Sequence, residues 1–267
     1  MGAFNGLLRL PDGGEMDYIR FGSGEKTLVM IPGVGDGFKT VKGTAQAFSM
    51  LYRKLGASFT VYVFSRRRAL PEPCSTREMA DDLAAAMRQL GLSNCCLLGV
   101  SQGGMITQYL AIDHPELAER LILAVTCGRP NETTRGVIGR WLEMAEAGDY
   151  KGILLDTAER SYSEAYLRRS RAMYTLLGTF GKPRSFERFR IQAESCLAHD
   201  AWEELPLISC PTLVIGATED KIVTGEASRE LAGRISDARL WMYEGLSHGA
   251  YEEAKDFQDR VAAFFLE

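Results

Sequence analysis

Gly99-Val100-Ser101-Gln102-Gly103 sets a serine between flanking glycines in the pattern G-x-S-x-G. A serine hydroxyl is a poor nucleophile near neutral pH and needs a base within hydrogen-bond reach. The chain has three histidines to supply one. His114 lies in Asp113-His114-Pro115-Glu116, at the end of the helical pattern after the serine, and reads as a helix-terminus residue. His199, near Asp200 and Trp202, reads as a packing residue or as a contact behind the site. His248 falls in a short loop, Gly245-Leu246-Ser247-His248-Gly249, just after an apolar run, which is where a base must stand. A carboxylate behind the imidazole would hold its tautomer and stabilise the imidazolium. Glu219 and Asp220 both follow the run Thr212 to Ile215, and either could serve.

These groups need elements to carry them. Thr27 to Ile31, Phe59 to Phe64, Cys95 to Val100, Leu121 to Val125 and Thr212 to Ile215 are continuous apolar runs, the pattern of buried parallel strands. Leu240 to Tyr243 is a sixth, and Leu7 to Leu10 with Met16 to Phe21 reads as a hairpin. Thr76 to Leu90 carries Met79, Leu83, Met87 and Leu90 on one helical face, with Ser75 and Glu78 at capping-box spacing. Glu226 to Leu231 and Tyr251 to Phe265 are further helices, the last with Phe257, Val261 and Phe264 as its inward stripe. This alternation implies an α/β protein with a doubly wound, mostly parallel sheet. Residues 128–205 contain only helix-like stretches, too long for a loop. They are expected to form a helical cap inserted into a core made of residues 1–127 and 206–267.

Ser101 follows a buried strand and precedes a helix, so the motif has the context of a nucleophile elbow. With Cys210-Pro211-Thr212-Leu213-Val214-Ile215-Gly216-Ala217-Thr218-Glu219-Asp220 and the His248 loop, the chain resembles the α/β-hydrolase superfamily over nearly its whole length. The resemblance implies a Ser101–His248–Asp220 triad, placing the acid at Asp220 rather than Glu219. It implies an oxyanion hole made by the backbone N–H groups of Gln102 and Val34. Pro32 stands where the family usually has histidine, so the bracing of the loop Pro32-Gly33-Val34-Gly35-Asp36-Gly37 must differ. Hydrolysis of a small carboxylic ester, lactone or thioester is the expected activity. Related enzymes with the same triad and cap cleave C–C bonds, hydrolyse enol lactones or promote elimination, and a slow-turnover ligand receptor is a further alternative. Serine at the nucleophile position argues against the related dehalogenases.

The cap offers Trp141, Tyr150, Tyr162, Tyr166, Tyr174, Phe180, Phe186 and Phe189 as candidate pocket walls, of which two or three are expected to reach substrate. Arg66-Arg67-Arg68 follows the run ending at Phe64 and is expected in a solvated loop, with contact to an anionic substrate group as the alternative. A net charge of −4 gives no basic field for nucleic acid or acidic lipid. Neither zinc-ligand spacing nor a phosphate-binding glycine pattern is present, and the triad chemistry requires no metal or organic cofactor. The six cysteines are expected as thiols. The start, MGAFNGLLRL, lacks the regions of a signal peptide, and no apolar stretch approaches membrane-spanning length. A cytoplasmic protein acting on a small molecule is expected; the oligomeric state is left open.

Overall fold

Each of the buried runs becomes a strand in the computed structural model, which describes residues 2–267. In chain order the elements are β1 (Phe4–Arg9), β2 (Glu15–Gly22), β3 (Lys26–Ile31), α1 (Ala45–Leu51), α2 (Arg53–Ser58), β4 (Phe59–Arg67) and α3 (Thr76–Gln89). Then come β5 (Cys95–Val100), α4 (Gln102–Asp113), β6 (Ala118–Ala124), α5 (Glu132–Glu146), α6 (Tyr150–Ser161), α7 (Glu164–Phe180) and α8 (Glu187–Ala198). β7 (Thr212–Ala217), α9 (Gly225–Arg234), β8 (Arg239–Tyr243), α10 (Ala250–Glu253) and α11 (Phe257–Phe265) complete the chain. The eight strands form one sheet in the order β1-β2-β4-β3-β5-β6-β7-β8. Only the β1–β2 and β2–β4 pairs are antiparallel.

Strand residues alternate between two apolar layers, as the period of two requires. Val29, Ile31 and Leu97 pack with Met79, Leu83 and Met87 of α3, Ile106 and Leu110 of α4 and Leu231 of α9. Leu28, Met30, Cys96 and Leu98 face the other way, onto Leu55 of α2 and Phe257, Val261, Phe264 and Phe265 of α11. The stripes expected on α3 and on the last helix are therefore inward faces, and Ser75 with Glu78 forms the capping box. Between β6 and β7 lie the four helices α5 to α8 and no strand. They pack Val137, Ile138, Trp141, Ile153 and Phe189 over Met105, Ile222 and Val223, above the carboxyl ends of the strands.

Two expectations about the elements need correction. The apolar run of β4 ends at Phe64, but the strand continues to Arg67, because Met16 of β2 pairs with Arg67 across the sheet. The last helix is two, α10 and α11, broken at Ala254-Lys255-Asp256. The short helices α1 and α2 gave no periodic signal, since each buries only one residue, Ala45 and Leu55. All six cysteines are free thiols, and five are buried.

His199, at the end of α8, is 2% exposed and bridges two core helices. Gln108 Nε2 donates to the Cys127 carbonyl, so its Oε1 accepts from His199 Nε2–H at 3.2 Å. Thr76 Oγ1 then donates to His199 Nδ1 at 2.9 Å. Burial pushes this imidazole from the ordinary 6.5 down to about 3, against the opposing pull of Asp200. The folded state thus holds His199 neutral where an unfolded histidine takes up a proton. Its contribution is fully present above about pH 6.5 and is lost as pH falls towards 3, by at most about 1.4 kcal/mol per pH unit. At pH 5 this term lowers wild-type stability by about 2 kcal/mol relative to pH 7, so His199→Gln should narrow the stability gap to wild type by that amount. Urea unfolding of both proteins at the two pH values measures it; a constant gap contradicts the assignment.

Candidate active site

Ser101 caps α4 with φ 54° and ψ −121°, a sparsely populated region that costs on the order of 1–3 kcal/mol. The surroundings over-determine it. Ser101 N–H donates to the Ala124 carbonyl at 2.9 Å, and the Ser101 carbonyl accepts from Thr126 Oγ1 at 2.8 Å. The turn is tight enough that a Cβ on Gly103 would sit 2.0 Å from the Ile31 carbonyl oxygen, which explains the glycine after Gln102. Strand β5 is buried on both faces, so the elbow stands on rigid structure at the centre of the sheet.

β7 and the loop after β8 bring the other two groups to this elbow. His248 Nε2 lies 3.0 Å from Ser101 Oγ, and His248 Nδ1 lies 2.8 Å from Asp220 Oδ2. With the carboxylate accepting from Nδ1–H, Nε2 is left to accept from the serine hydroxyl. Asp220 Oδ1 accepts from the Ile222 and Val223 N–H groups at 2.8 and 3.0 Å. Burial by itself would raise the Asp220 carboxyl, but His248 and these two amides together hold it below the ordinary carboxylate value. The loop of His248 is tied on both sides of the imidazole to the end of α6: Ser247 Oγ donates to the Arg160 carbonyl, and Gly249 N–H to that of Ser161.

Glu219 is exposed, with its N–H on the Leu246 carbonyl, and the carboxylate that meets His248 Nδ1 is that of Asp220. His114, at the end of α4, meets Asp81 and Arg88 instead, and His199 is far below in the core contacts described above. Gln102 is the first residue of α4, so its N–H precedes every intrahelical acceptor. Val34 opens the single 3-10 turn Val34–Gly37 after β3. Gly33, just before it, comes so near the elbow that a Cβ there would lie 3.3 Å from Ser101 Cβ.

A cavity of about 280 Å³ opens on Ser101 and His248. Val34, Phe38, Ile153, Leu154, Ile222 and Tyr251 supply apolar wall, and Thr157 and Ser161 supply hydroxyls. Of the eight cap aromatics, Trp141, Tyr162 and Phe189 line it. Tyr166 and Tyr174 stack on Tyr162, while Phe180 is 81% exposed. Tyr150 and Phe186 pack on Phe38 behind the wall.

Arg66, Arg67 and Arg68 are not a solvated loop, and none lines this cavity. They lie at the end of β4 and just beyond it, where carboxylates and carbonyls claim each one. Arg67 pairs with Asp82 and Asp12, and Arg68 with Asp17 at 2.7 Å and Glu15 at 2.8 Å. Arg66 turns inward and is 3% exposed. Asp36 and Arg188 carried no separate signal in the sequence, yet they clamp the Gly33–Gly37 turn. Arg188 of α8 donates to Asp36 Oδ2 at 2.8 Å and to the Asp36 carbonyl at 2.7 Å.

The fold thus gathers a serine after the fifth strand, a histidine after the eighth and an acid after the seventh. The model of the alpha/beta hydrolase fold family matches residues 26–255, and the chain belongs to that family. As a member it is an α/β-fold hydrolase. A Caulobacter protein provisionally named carbamate hydrolase RutD is 25% identical over 255 residues, covering 91% of each chain. An enol-lactonase from Burkholderia xenovorans superposes with a TM-score of 0.83 at 22% identity, covering 98% of this chain and 100% of that one. An alpha/beta hydrolase enzyme from a Medee basin deep-sea metagenome library gives 0.85 at 17% identity over 98% of both.

Proposed function

We propose that this protein hydrolyses a small carboxylic ester, lactone or thioester whose buried group is neutral and largely apolar. The observation that carries this reading is the unbroken hydrogen-bonded chain from Ser101 Oγ through His248 to the buried Asp220. Ser101 Oγ attacks the carbonyl carbon while His248 Nε2 takes its proton. The tetrahedral oxyanion is held by the Val34 and Gln102 amides, at the positive end of α4. As the carbon–oxygen or carbon–sulfur bond breaks, the imidazolium returns the proton to the leaving group. Water, deprotonated by His248, then attacks the acyl-enzyme and frees Ser101. Helices α5 to α8, within residues 128–205, act as the cap that keeps bulk water from this sequence of steps. The names of the relatives, a carbamate hydrolase and an enol-lactonase, support a carbonyl electrophile.

The cavity walls support the choice of substrate charge. Among the described residues no lysine or arginine lines the cavity, and Asp36 is its one carboxylate. An anionic group buried there would lack a cationic partner, which is strongly unfavourable in a water-poor site. At roughly 30 Å³ per water-sized unit, the cavity accepts a group of roughly nine non-hydrogen atoms. Among the described residues no helix is long and apolar enough to cross a membrane, which suits action on a small molecule in the cytoplasm.

A panel of 4-nitrophenyl esters tests the reading. The butyrate and hexanoate should exceed the hemisuccinate in kcat/KM by about 100-fold, the rate equivalent of burying an unpaired carboxylate. Equal rates, or preference for the hemisuccinate, contradict the assignment of charge. No turnover of any ester, with cleavage of a vinylogous C–C substrate instead, contradicts the assignment of the bond.

A further inference from the structure

Arg66 takes no part in the chain of Ser101, His248 and Asp220, yet it touches both segments that carry the proposed oxyanion donors. Its Nη2 donates to the Pro32 carbonyl at 2.6 Å and to Gln102 Oε1 at 2.7 Å. Pinning the Pro32 carbonyl fixes the Pro32–Gly33 peptide plane. The Val34 N–H belongs to the next plane, and only the two torsions of Gly33 separate them. At the other side, Gln102 Nε2 donates to the Gln192 carbonyl at 2.7 Å and to Ser195 Oγ at 3.0 Å, so its side chain is fixed at both ends. One guanidinium nitrogen therefore spans the strand β3 turn and the start of α4. Arg66 is the donor that the Pro32 carbonyl meets here.

The charge of Arg66 adds a second argument. Its own backbone N–H meets Asp36 Oδ2 at 3.1 Å, but the Asp36 carboxylate is ion-paired with Arg188. Among the described residues no carboxylate oxygen lies within ion-pair distance of the Arg66 guanidinium, although Arg67 and Arg68 beside it are both paired. A buried cation without an ion-pair partner is unfavourable for stability. Such departures from local optimum gather at functional sites, where they serve something other than packing. Here the sign is the one that a developing oxyanion attracts.

We propose that Arg66 is a positioning residue that locks the Val34 and Gln102 donors relative to one another and places a buried positive charge behind them. The proposal rests on Ser101 being the nucleophile. It is tested with Arg66→Met and Arg66→Lys, measuring kcat and KM for a neutral 4-nitrophenyl ester and the affinity of an alkyl boronic acid. The boronate forms an anionic tetrahedral adduct with Ser101 Oγ, so it reports on the oxyanion site in the ground state. Losing a whole oxyanion donor costs about 10²–10³-fold in kcat; losing its brace should cost Arg66→Met about 10–100-fold. Boronate affinity should fall by a similar factor, KM should stay within about threefold, and Arg66→Lys should recover part of both losses. A folded Arg66→Met enzyme with unchanged kcat overturns the proposal, as does a loss confined to KM. If that variant does not fold, Gln102→Met removes the Oε1 acceptor and keeps the backbone donor. Its kcat and boronate affinity should then fall together by about 3–10-fold, on the same scale of partial donor loss, and no change in either overturns the brace. A phosphonate that labels wild-type Ser101 separates these outcomes: failure to label defeats the reading of the nucleophile itself.

Discussion

Ser101→Ala is expected to lower turnover of an activated neutral ester by about 10⁶-fold, the scale on which losing a serine nucleophile removes catalysis. The expectation follows from the absence of any substitute at that place. Thr126 Oγ1, beside the elbow, is committed to the Ser101 carbonyl, and the cavity hydroxyls of Thr157 and Ser161 stand apart from His248, whose ring nitrogens are engaged by Asp220 and Ser101. Cys127 is buried, and burial raises its thiol far out of the reactive range. The fold should survive the change. Alanine takes the same strained backbone as serine, and the bonds that hold the turn are made by backbone atoms and by Thr126. Steady-state assay with a circular-dichroism melt on the same sample checks both halves. Lost activity with lost structure would leave the elbow serving the fold rather than the chemistry.

The second large effect is expected from Asp220→Asn, about 10⁴-fold in kcat, through the tautomer of His248. An asparagine at 220 must still accept from the Ile222 and Val223 amides, so its oxygen takes the place of Oδ1. Its NH₂ then faces His248 Nδ1, which must become an acceptor. The ring proton moves to Nε2, where it confronts Ser101 Oγ and cannot accept the hydroxyl proton. Asp220→Asn should therefore be folded, close to wild type in KM and nearly inactive. Glu219→Gln serves as the paired control, since Glu219 is exposed and Asp220 already holds His248 Nδ1; its kcat should stay within about twofold, as for a surface change. A reversal of the two effects would move the acid to Glu219.

How far these residues could be read from the sequence depended on the signal each one carried. Buried strands announce themselves because both faces are covered, so β3, β5 and β7 stood out as unbroken apolar runs. The elbow was legible because β5 and α4 flank Ser101 without a gap. Glu219 and Asp220 were not separable by residue type: adjacent carboxylates at a strand end differ only in which way the turn aims them. The three arginines make the same point more sharply. Arg66, Arg67 and Arg68 are chemically equal and adjacent, and the end of the apolar run at Phe64 suggested a loop. β4 continues to Arg67 past a register irregularity opposite Met16 to Tyr18, and there Arg66 reaches Gln102 while Arg67 reaches Asp82 of α3. The partners of the buried cluster, Asp36, Arg188 and Gln192, come from distant segments. No local pattern marks a contact made across that separation. Likewise α1 and α2 bury too little to leave a periodic trace.

Intact-protein mass spectrometry after exposure to an alkyl fluorophosphonate tests the nucleophile most directly, followed by peptide mapping. A single adduct on the peptide bearing Ser101 is predicted, lost in Ser101→Ala and strongly slowed in Asp220→Asn. Labelling at another residue, or an unlabelled protein that still turns over esters, would contradict the assignment of Ser101.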